Sequence, residues 1–70
     1  MNNLAKLLDE FEIYWKKALN GDYHHAKELT ALAILIERET KKPTFKKHHL
    51  NFLQEMMLNY ALIIVNIPLR

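Results

Sequence analysis

Gly21, Pro43 and Pro68 are the only glycine and prolines in a chain of 70 residues. Glycine reaches positive φ freely and proline lacks the N–H that continues a helix, so these residues end regular structure at low cost. With so few of them, and no serine, the chain has little material for turns and must form a few long elements. Between the breaks, apolar residues recur every three or four positions, the period of an amphipathic helix. The expected fold class is therefore all-α: one helical domain over residues 1–70, with antiparallel helices at about 4–19, 23–40 and 45–66.

The first helix places Leu4, Leu7, Leu8, Phe11, Tyr14, Trp15 and Ala18 on one face. Lys6, Asp9, Glu10, Glu12, Lys16 and Lys17 take the other, with Ile13 a misfit among them. Glu12 and Lys16 form an i,i+4 pair in the favourable order. Asn20-Gly21 should end the helix, with Gly21 as its left-handed cap. Asp22 then caps a second helix whose stripe is Ala26, Leu29, Ala33 and Ile36, with Leu32 beside it. A strand through ALAILI competes for that segment, but KEL before it and ERE after it continue the helical composition.

Pro43 disfavours helical geometry at Lys42, and Thr44 is placed to cap a third helix of about 33 Å. Leu50, Leu53, Met57, Tyr60, Ile64 and Ile67 form its seam at alternating spacings of three and four. The expected core centres on Phe11, Trp15, Leu29, Ala33, Phe52, Leu53, Met57 and Tyr60. Another arrangement of the same elements is a hairpin of helices two and three, with helix one packed across it or onto a second subunit.

A domain this small buries only about 60% of its unfolded surface and draws extra stability from disulfides, a metal or another chain. Cysteine is absent, which removes disulfides and thiolate zinc sites and leaves association. The third helix points the same way. Its early polar face (Lys47, His48, Asn51, Gln54, Glu55) gives way to Leu58, Ala61, Leu62 and Val65 further along. A membrane span needs about 20 predominantly apolar residues. This run is shorter, holds Asn59 and Asn66 and ends at Pro68, so no span is expected. Apolar residues in surplus of a monomer's needs predict an association surface on helices two and three, made of Ile34, Leu35, Leu58, Leu62 and Val65.

Chemistry is thinly represented. With no serine, no cysteine, no glycine-rich loop and no paired acids on an apolar face, an enzyme is the least supported class, and no cofactor is expected. His24-His25 and His48-His49 are adjacent pairs whose side chains diverge by about 100° on a helix. Only His24 with Glu28 has ligand spacing, so no metal site is expected. The segment KKPTFKKHH gathers Lys41, Lys42, Lys46 and Lys47 around the expected start of helix three, where the dipole prefers acids. Lysines there, beside free backbone N–H groups, suit an anion.

The sequence thus reads as a non-enzymatic protein–protein interaction module in the format of small helical adaptors, inhibitors and co-chaperones. It would be homodimeric or bound to another protein through its C-terminal helix. The alternative is an anion or nucleic-acid binder using the basic turn at 41–49. Acids stand where an export signal would be apolar, and cysteine is missing; both fit a cytoplasmic setting.

Overall fold

The computed structural model describes residues 3–67. Its helices are α1 (Asn3–Leu19), α2 (Ala26–Thr40) and α3 (Phe52–Val65), with a single 3₁₀ turn at Lys47–His49 ahead of α3. Every pair of helices packs together, so α1 belongs to the bundle and does not lie apart from a hairpin of α2 and α3.

The core takes one face from each helix: Leu4, Leu8 and Phe11 from α1, Leu32, Ala33 and Ile36 from α2, and Met57, Leu58 and Ala61 from α3. Phe11, Leu8 and Ile36 are its largest fully buried side chains, and the fully buried Ala33 and Ala61 leave them volume. Trp15 stacks between Phe11 (5.9 Å between ring centroids) and Tyr60 (4.5 Å), tying α1 to α3 through aromatic surface. The expected Glu12–Lys16 pair forms at 2.7 Å on the solvent side.

The end of α1 follows from Gly21. At φ +89° its N–H donates to the Ala18 carbonyl (3.0 Å), and the Asp22 N–H donates to the Lys17 carbonyl (2.9 Å). This is the paired bonding of a Schellman cap. Asp22 does not go on to cap α2 as expected. Its carboxylate accepts from the N–H of His24, two residues on (3.1 Å). That local turn competes with helix capping, so α2 begins three residues late, behind an N-cap His25 that makes no side-chain cap bond.

The start of α3 departs further from expectation. Lys42 to Phe45 close a turn around Pro43, with the Phe45 N–H donating to the Lys42 carbonyl (3.0 Å), so Thr44 lies within that turn and caps no helix. The chain then runs extended at Lys46, makes the 3₁₀ turn, and enters α3 only at Phe52. The cause is a capping box. The Asn51 side chain accepts the Gln54 N–H (2.8 Å), and the Gln54 side chain accepts the Asn51 N–H (2.9 Å). α3 is thereby about 21 Å long instead of about 33 Å. Asn66 closes it, its backbone N–H and its side-chain Nδ2 both donating to the Leu62 carbonyl; Pro68 lies outside the described residues.

The rotation of α3 also corrects the expected core. Phe52 (77% exposed) and Leu53 lie outside it, whereas Leu58 (3% exposed) lies inside. Replacing Leu58 by alanine should therefore cost about 2–5 kcal/mol, a large share of a small domain's stability. Gly21→Ala meets open space but keeps an unfavourable φ, so it should cost about 1–2 kcal/mol and lower the melting temperature by several degrees. Thermal melts followed by circular dichroism check both, with the order of damage Leu58→Ala above Gly21→Ala.

Candidate interaction surface

The five residues expected to form an association surface do not come together. Leu58 is a core residue and is not available to another chain on the folded domain. Leu62 and Val65 are half-buried and pack against the core. Ile34 is exposed on the outer side of α2 beside Ala31, Thr30 and Lys27. Leu35, also exposed, borders a groove between α1 and α2 together with Leu7, Glu10 and Arg38.

A different stripe emerges on the outward face of α3. Phe52, Met56, Asn59 and Ile63 follow one another at intervals of three and four, so they share one side of the helix, with Met56 half-buried against the core, and Ile67, just past the helix end, borders the same side. Phe52 is 77% exposed, Ile63 60% and Ile67 53%. Asn59, Leu62, Ile63, Asn66 and Ile67 line a shallow, mainly apolar hollow of about 590 Å³ at the C-terminal end of the stripe. The amide of Asn66 is engaged in closing the helix, which reduces the polarity it offers to the surface. Glu55 is the only charged residue in α3. Sequence reasoning missed this stripe because it took Phe52 for core; the signal available was Asn51-x-x-Gln54, which marks where the helix starts.

The basic segment is rearranged too. Lys42 pairs with Glu39 at 2.6 Å and Lys47 approaches Glu55 at 3.7 Å. Lys41 and Lys46 are exposed and have no ion pair among the described residues. None of the four lies in the first turn of α3, where Asn51 and Gln54 already satisfy two backbone N–H groups and Glu55 supplies a negative charge. The expected juxtaposition of lysines with a bare helix start is absent.

Among the described residues, no three His, Cys, Asp or Glu side chains are grouped so as to hold a metal ion, and no helix is long and apolar enough to cross a membrane. His25 packs on Tyr14 (5.1 Å between rings) and lies 3.9 Å from Glu28, so His25 and not His24 is the neighbour of that acid. No family model, curated protein or solved structure significantly matches this chain.

His24 Nδ1 also donates to the Asp22 carboxylate (2.8 Å). That side-chain bond first, and the His24 backbone N–H second, hold the Asp22 carboxyl below its ordinary value of 3.8. A carboxyl depressed on folding stabilises the fold above its unfolded pKa and loses that contribution as pH falls through the folded one. The melting temperatures of the native chain and Asp22→Ala should therefore differ more at about pH 7 than at about pH 2. An equal gap at both would mean that the carboxylate charge contributes nothing.

Proposed function

We propose that this protein is a non-enzymatic protein-interaction module that works as a homodimer, covering the outward face of α3 with a second copy of itself. One observation carries the reading: a domain with little core to spare leaves Phe52 and Ile63 exposed on one side of its most apolar helix, and Ile67 exposed just past its end. Large apolar side chains grouped on one face mark association surfaces. A second copy is favoured over an unlike chain because this face has almost no charge. Two such faces meet without like-charge repulsion, and the net charge of +2 opposes dimerisation only weakly. The adaptor, inhibitor or co-chaperone format belongs to this reading, as does a cytoplasmic setting, since a chain without cysteine requires no oxidising compartment to fold.

Anion binding at the connection is the weaker reading. Two of its four lysines already have carboxylate partners, which leaves Lys41 and Lys46 as its carriers.

Replacing both Phe52 and Ile63 by glutamate tests the dimer. Each buried apolar side chain contributes about 1.5–3 kcal/mol, so the pair should weaken association by ~100-fold or more. Because both residues are exposed on the single chain, helicity should be retained. Sedimentation velocity alongside circular dichroism reads both quantities. Unchanged association of a folded double variant would remove α3 as the contact surface.

A further inference from the structure

The outward stripe of α3, continued to Ile67 two residues past the helix end, has a symmetry of its own. Phe52 lies as far before the midpoint between residues 59 and 60 as Ile67 lies after it, and Met56 and Ile63 are related in the same way. A two-fold interface requires that kind of self-complementarity, in which residue i meets residue j and j meets i. The shapes agree with the pattern. Phe52 is the most exposed large side chain on the face, a knob at one end. The hollow lined by Asn59, Ile63, Asn66 and Ile67 lies at the other. Only an antiparallel arrangement of two such helices brings each knob to the other's hollow, and it also sets each helix's positive end beside the other's negative end.

At the centre stands Asn59. The Asn51 and Asn66 amides are occupied in capping α3, but the Asn59 side chain, exposed and flanked by apolar neighbours, has no hydrogen-bond partner among the described residues. Tyr60, the other residue beside the midpoint, is turned away and stacked on Trp15.

Resting on the homodimer reading, we propose that two copies pack α3 against α3 in antiparallel fashion about a two-fold axis at Asn59. The two Asn59 amides hydrogen-bond to each other, and Phe52 of each copy enters the hollow of the other. A buried polar pair of this kind contributes less to affinity than an apolar one but fixes register, because any slip leaves an amide unsatisfied in apolar surroundings. Asn59 is then a specificity residue of the dimer, and the apolar positions around it supply the affinity.

The absence of cysteine makes the geometry directly testable by cross-linking. A disulfide needs Cα atoms within about 7 Å, which facing positions on closely packed helices meet. Asn59→Cys should give a covalent dimer under mild oxidation. Phe52→Cys and Ile67→Cys should each stay uncross-linked alone and cross-link when the two are mixed, one carrying a tag so that the mixed species is recognised. Ile13→Cys, exposed on α1, serves as the control that should not react. Self-cross-linking of Phe52→Cys without the mixed product would mean parallel pairing and overturn the proposal. A dimer seen by light scattering with no cross-link at any α3 position would place the contact elsewhere, refuting the axis at Asn59 while leaving a homodimer. A folded chain that stays monomeric would refute the homodimer reading itself.

Discussion

A helix in a three-helix bundle touches two neighbours and presents the rest of its circumference to water, so a helix apolar on every side cannot be satisfied by its own chain. α3 comes close to that beyond Glu55, where Asn59 alone is polar before the cap at Asn66, and much of the structure follows from how it is placed. Met57, Leu58 and Ala61 turn inward to meet Phe11, Ala33 and Ile36. Leu62, Ile64 and Val65 fill the flanks. What remains is a line of apolar side chains with nowhere to go, and in a chain this short α1 and α2 are already committed to the opposite face of α3. The outward stripe is the remainder left by a small core.

The placement of α3 depends on its N-terminal cap. Asn51 and Gln54 bind each other's backbone N–H groups and start the helix there. The lysine- and histidine-rich segment before it is thereby spared from a helix start where its charge would oppose the dipole. That segment is held by Phe45 and Leu50, which pack against the core from outside any α-helix. A connection pinned at two apolar points and charged between them lets α2 and α3 pack closely while keeping four lysines in water. Two of those lysines answer nearby carboxylates, so much of its charge is balanced within the fold.

These features differ in how plainly the sequence expresses them. α1 was legible almost residue by residue, because its apolar and charged positions separate cleanly and Gly21 leaves no doubt about its end. Most of the inward face of α2 was legible (Leu29, Leu32, Ala33 and Ile36), as was the exposure of Ile34 and Leu35, but Ala26, expected in the same stripe, lies exposed at the first turn on the outer side. α3 was not. Where nearly every residue is apolar, spacing alone cannot say which side faces the core, and an unbroken seam can be drawn through Leu53 and Tyr60 as readily as through Leu58 and Ala61. Asn51-x-x-Gln54 would have shortened the helix, but it competed with Thr44 after Pro43, a stronger-looking start. The burial of Leu58 and the exposure of Phe52 both follow from the start at Asn51, since Phe52 stands in the first turn of α3 and anchors the outer stripe there. The basic cluster was visible as a run of charge, but its ion pairs depend on where Glu39 and Glu55 end up, and that is a property of the folded connection.

The central claim is that the apolar outer face of α3 is covered by a second copy of the chain, and the most direct measurement is the solution mass of the unmodified protein. The chain weighs 8.3 kDa. Light scattering coupled to size-exclusion chromatography over a wide concentration range should give a plateau at twice that mass, with dissociation only on dilution. A folded species that holds the mass of a single chain at the highest concentration reached would contradict the claim.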